Sequence, residues 1–177
     1  MIFLDTNVWF ELLANSSPQK PHEIKQAELA SAFMKENKEP IVTCKEQQIE
    51  MISAVEKRKL REYRSTHKAS GESRIGSVKE FRRKKEFEEA VYLCKSIFED
   101  MKEMATIDSK FSYSVEDVLE KITDMDIQDS MFLHYCEQGN IKLITFDEEL
   151  AAADKTGKIV MLLGSEYCNV EEPLLTM

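Results

Sequence analysis

No stretch of this sequence approaches the roughly 20 consecutive apolar residues that a membrane-crossing helix needs. The start of the chain lacks a basic leader and a cleavable apolar segment, since Met1 runs straight into Ile2-Phe3-Leu4-Asp5. The expectation is a protein that stays in the cytoplasm and has no membrane partner. No two of its cysteines form a C-x-x-C pair; Cys44, Cys94, Cys136 and Cys168 are widely scattered. His22, His67 and His134 do not complete with them the closely spaced ligand set of a structural zinc site, so none is expected. The cysteines read as reduced and structural, in keeping with a reducing compartment. No Ser-His-Asp set suggests itself either.

An excess of positive charge is also lacking, since 24 Lys and Arg stand against 33 Asp and Glu, a formal net charge of −9. Taken alone, that argues against nucleic acid as a partner. The distribution says otherwise. Between Lys57 and Lys85 the chain carries twelve Lys or Arg and three acids, so one basic segment is set in an acidic protein. Lys57, Arg58, Lys59, Arg61 and Arg64, then Lys79, Arg82, Arg83, Lys84 and Lys85, are candidate contacts for RNA phosphates. A solvated helix face, or a dock for an acidic protein, are the other readings of the same segment.

What is present is an alternation of short apolar runs and helical patterns. Residues 2–4 read as a buried strand ending at Asp5. A short helix is expected over 8–13, broken at 15–18, and a second over 22–37. Ile41-Val42-Thr43 reads as a strand, with a helix from about Lys45. The most loop-like stretch is 69–77, and a long helix is expected from about Val78 to Met104. Ser114 with Asp117 three residues on resembles a capping box and opens a helix to about Ile122. A further helix is expected from about Asp126 to Glu137, stopped at Gly139, with strands at 141–145 and 158–162. Strands alternating with helices predict an α/β fold, a parallel sheet covered on both faces. Residues 1–177 read as one domain, with a helical elaboration over about 56–122.

Ligands of such sheets collect beyond the carboxyl ends of the strands. Asp5 follows the first strand and Asp147 the third. Glu50 lies early in the helix after strand two, and Asp129 early in the helix before strand three. Alone, Asp5 is equally a helix cap and Asp147 equally a partner of the next helix dipole. Glu46 and Glu11 compete with Glu50, and Asp124 and Asp126 with Asp129. Together, four converging carboxylates stay ionised only beside a cation, and an all-oxygen set suits Mg2+ or Mn2+. Such ions activate water for phosphodiester cleavage. A phosphatase with a nucleophilic Asp after strand one wants a second Asp two residues on, where this chain has Asn7.

The residues also carry a family resemblance. The strand followed by Asp5-Thr6-Asn7-Val8 resembles the opening motif of PIN-domain nucleases. Val42-Thr43-Cys44 followed by Glu50 is similar to their second motif. The stretch from Asp126 through Asp129 to Gly139 resembles their third, and Leu143-Ile144-Thr145-Phe146-Asp147 their last. The resemblance implies a three-layer α/β/α fold with a central parallel sheet of four or five strands. It implies a Mg2+- or Mn2+-dependent endoribonuclease that cleaves RNA by metal-activated water. Asp5, Glu50, Asp129 and Asp147 would be both the metal ligands and the catalytic set, supported by Asn7, Thr145 and Asp126. Many such proteins are toxins of toxin–antitoxin pairs and many dimerise, so an antitoxin and a second copy are implied partners. The helical middle is longer here than in the compact toxins. The alternative is a catalytically inactive RNA-binding or scaffold module of the same fold.

Overall fold

A computed structural model describes residues 1–14, 20–68, 75–121 and 125–164. Five parallel strands form one sheet in the order β3-β2-β1-β4-β5. They are β1 (Ile2–Leu4), β2 (Ile41–Thr43), β3 (Thr106–Ile107), β4 (Lys142–Thr145) and β5 (Val160–Leu162). Phe3 pairs with Val42 on one side and Leu143 on the other. Helices cover both faces, which makes the architecture a PIN-like α/β/α sandwich.

Alternation along the central strands divides the core in two. Ile2, Leu4 and Ile144 point into one layer, where α2 (Pro21–Glu36), α3 (Lys45–Thr66) and α5 (Phe87–Met104) supply Ala30, Met51, Val55, Ile97 and Met101. Phe3 and Leu143 point into the other. There α7 (Ile127–Gly139) and α8 (Glu148–Ala153) supply Phe132, Leu133, Cys136 and Leu150. Each such fully buried side chain contributes about 1.5–3 kcal/mol of transfer free energy. Cys44, Cys94 and Cys136 are free thiols inside these layers.

The first connection is tight. Asp5 caps α1 (Thr6–Trp9), which runs on as a π-helical turn over Phe10–Ala14. After β3 the chain forms α6 (Val115–Lys121) and α7, and then enters β4 on the far side of β1. The direction of strand addition therefore reverses between β1 and β4, and a crevice opens beyond their carboxyl ends.

Four expectations need correction. The helix expected over 78–104 is two: α4 (Val78–Phe81) and α5, separated by turns at 82–86. The buried Phe81 ring packs against Tyr63 and Phe87, and the Arg82 guanidinium grips Glu56 with bonds of 2.8 and 2.6 Å. Those contacts hold a bend that residues of good helix propensity would not choose alone. The left-handed residue ending α7 is Asn140, at φ 48°, and not Gly139. A side chain at Gly139 would instead press on Ile141, whose Cδ1 lies 2.8 Å from the Cβ position. Strand β3 was not anticipated. The helix from Lys45 extends to Thr66, so much of the basic segment is helical. The break at 15–18, most of the loop at 69–77, and Ile122, Asp124 and Cys168 lie outside the described residues. Among the described residues, no helix is long and apolar enough to cross a membrane.

Candidate active site

The crevice is an open cleft of about 530 Å3. Asp5, Glu50, Asp129 and Asp147 all line it, as do Asn7 and Asp126. Each acid is delivered by a different local device. Asp5 ends the β1 ladder, its amide donating to the Ile144 carbonyl at 2.8 Å, and its carboxylate caps α1. Asp147 ends β4 and caps α8 through Oδ1, accepting from the amides of Glu149 and Leu150. Asp126 caps α7 in the same manner, accepting from Gln128 and Asp129, and so fixes the turn that presents Asp129. Glu50 stands on the second turn of α3.

Thr145 is the junction of this rim. Its hydroxyl donates to Asp5 Oδ2 at 2.5 Å and accepts from Asn7 Nδ2 at 3.1 Å and the Asp147 amide at 2.9 Å. That uses the full bonding capacity of a hydroxyl. Asn7 Oδ1 in turn accepts from the Phe146 amide at 3.2 Å. Two residues not singled out from the sequence complete the frame. The Thr6 amide donates to Asp5 and its hydroxyl to Glu50 Oε2, both at 2.6 Å, so one residue ties two acids together. Buried Gln47 accepts from the Thr43 hydroxyl and donates to the Leu4 carbonyl, fixing α3 against the ends of β1 and β2. In the sequence Thr6 is only a member of the Asp5-Thr6-Asn7-Val8 motif and Gln47 an ordinary helical residue; only the fold joins them to the rim.

The electrostatics are those of carboxylates crowded together. Burial pushes Asp129 up to about 8, and the charges of Asp5, Asp126, Glu50 and Asp147 add to the shift. Burial likewise raises Glu50 to about 7, against the bond from Thr6, with Asp5 and Asp126 adding repulsion. Asp5 is raised to about 6 by burial, moderated by the bonds from Thr145 and Thr6. Among the described residues, nothing donates a hydrogen bond to the Asp129 carboxylate. An all-oxygen donor set of this charge fits a hard divalent cation. Among the described residues, however, no three such side chains already converge at ligand spacing, so filling the site requires side-chain rotation.

Of the ten basic candidates, Lys57 and Arg61 line the cleft. Several others are engaged elsewhere. Arg58 bonds Glu62 at 2.9 Å and Glu23 at 3.2 Å, and Lys59 bonds Glu62 at 2.9 Å. Arg64 donates to the Ile75 carbonyl, and Arg82 is held by Glu56. Lys79, Arg83, Lys84 and Lys85 lie at or beside the bend between α4 and α5, away from the cleft lining. Glu11 and Asp126 share the cleft with the four acids, whereas Glu46 does not line it. His134 is buried on α7 beside Asp117 and Gln138.

A search of curated proteins gives no match to this chain. A family model for the PIN domain matches residues 2–156, a span that runs through the helical middle as well as both acid-bearing ends. With a parallel five-stranded sheet and acids gathered at its reversal point, this chain belongs to the PIN-domain family.

Proposed function

We propose that this protein is a Mg2+- or Mn2+-dependent endoribonuclease, with residues 1–177 acting as one nuclease unit. The observation that carries this reading is the crowding of Asp5, Glu50, Asp129 and Asp147 in one cleft, where burial and neighbouring carboxylates raise the proton affinity of Asp5, Glu50 and Asp129. PIN domains are generally nucleases, and the cleft chemistry agrees with a hydrolase that uses a divalent cation. Asp5, Glu50, Asp129 and Asp147 would hold the cation. When bound, it supplies neutralising charge for the scissile phosphate and makes water more acidic. Thr145 and Asn7 hold the Asp5 carboxylate at the centre of the rim, and Asp126 holds the first turn of α7. Lys57 and Arg61 offer positive charge to the phosphates of RNA.

The test is degradation of a panel of single-stranded RNAs with Mn2+, comparing wild type and Asp5→Asn. The expected outcome is loss of cleavage by at least about a hundredfold with the fold retained. Metal-dependent activity indifferent to Asp5→Asn would sink the assigned site. A wild type inactive on every RNA would leave the binding module as the reading. As for the toxin ribonucleases that its motifs resemble, the proposed partners are RNA, an antitoxin and a second copy of the chain. Suppression of cleavage by a small protein encoded beside it checks the antitoxin.

A further inference from the structure

The face of α3 that looks into the cleft carries Glu50, Ser53, Ala54, Lys57 and Arg61. This is one stripe of a helix, with steps of three or four residues. Its rise of 1.5 Å per residue puts Lys57 about 10 Å, and Arg61 about 16 Å, along the axis from Glu50. The positions between acid and cations, Ser53 and Ala54, are small, so nothing bulky blocks the path. Among the described residues, neither Lys57 nor Arg61 is in an ion pair, unlike Arg58, Lys59 and Arg82 on neighbouring surfaces. The other cleft walls offer Phe10, Phe146, Gln26 and Gln128, which carry no positive charge.

We propose that the RNA strand lies along α3, with phosphates on one side of the cut held by Lys57 and Arg61. Resting on the nuclease reading above, this makes the electrostatic footprint small and one-sided. Two cations carry it, and the basic cluster at the bend between α4 and α5 takes no part.

The experiment measures binding of a fluorescein-labelled single-stranded RNA by the full chain in EDTA over a range of KCl concentrations. Two phosphate contacts predict a slope of log K against log[salt] of about −1.4; ten would give about −7. Lys57→Gln with Arg61→Gln should flatten the slope to near zero and weaken binding at low salt by at least about tenfold. Replacing Lys79, Arg83, Lys84 and Lys85 with Gln should leave both within about twofold of wild type. A wild-type slope steeper than about −4, a larger effect of the quadruple variant, or no binding at low salt each overturns the proposal. Binding needs no cleavage, so the two readings fail separately. Cleavage with a different salt pattern sinks the strand path alone. The expected pattern without any metal-dependent cleavage sinks the nuclease reading alone.

Discussion

The rim beyond the sheet and the helical middle treat charge in opposite ways. At the rim, acids from four separate elements are brought together and left facing one another, to the point that Asp129 holds its proton up to about 8. In the middle, Glu56 and Glu62 are matched with Arg82 and Lys59, and Arg58 reaches out of it to Glu23 of α2. Acids that meet a cation stabilise the fold or leave it unchanged, whereas acids that face other acids in a partly buried crevice cost stability. Like charges gathered at a crevice therefore point to a ligand that relieves them.

The contrast breaks most sharply at Asp129. Asp129→Asn removes the acid most burdened by its neighbours, and RNA cleavage with Mn2+ should fall by at least about a hundredfold while the protein melts at an equal or higher temperature. A lower melting temperature with activity intact would reverse the comparison. The next effect is on pH. In the unfolded chain these carboxyls titrate near the ordinary value of about 4, whereas in the fold Asp5, Glu50 and Asp129 titrate at about 6, 7 and 8. Between those limits the folded state binds more protons than the unfolded one. Stability in EDTA should accordingly fall as pH rises from about 4 to 8. Mn2+ should raise the Tm, and more at pH 8 than at pH 5, where protons compete for the same oxygens. Thermal melts with and without Mn2+ at the two pH values check this; equal shifts at both would count against it. The smallest effect belongs to the paired region. Arg58→Ala should lower stability by no more than about 1 kcal/mol, since its head is partly solvated, and leave cleavage within about twofold. Chemical denaturation alongside the RNA assay measures both.

The two regions also differ in how far the sequence announces them. The strands at 2–4 and 41–43 are legible because short apolar runs end at polar residues, and the positions of Asp5 and Asp147 follow from that pattern. The parallel sheet covered on both faces is likewise implied by alternation of strand and helix, but its strand order is not. Strand β3 is not legible: two residues, one of them exposed, leave no periodic trace. Nor is the bend at 82–86, where Arg-Arg-Lys-Lys-Glu contains neither proline nor glycine and the decisive partner, Glu56, lies 26 residues away. The same remoteness hid the fate of the basic residues. Counting charges shows how many there are, but Glu23 is 35 residues from Arg58, and only folding reveals which cations are spoken for. Thr6 escaped for the opposite reason. Its place beside Asp5 is plain, and its hydroxyl's reach to Glu50, 44 residues on, is not.

One consequence of α3 concerns how this sequence can diverge. The helix is unbroken from Lys45 to Thr66, and its rotation is set at one end by Gln47 and Glu50. Each inserted residue would turn everything downstream by about 100°. A single insertion after Ala54 would swing Lys57 and Arg61 out of the cleft and drag Val55 from the core, whereas four added residues would nearly restore the phase. Between residues 50 and 61, substitutions are cheap on the outer face, but the count of residues is not free to drift. Length, more than identity, is what this segment has to inherit.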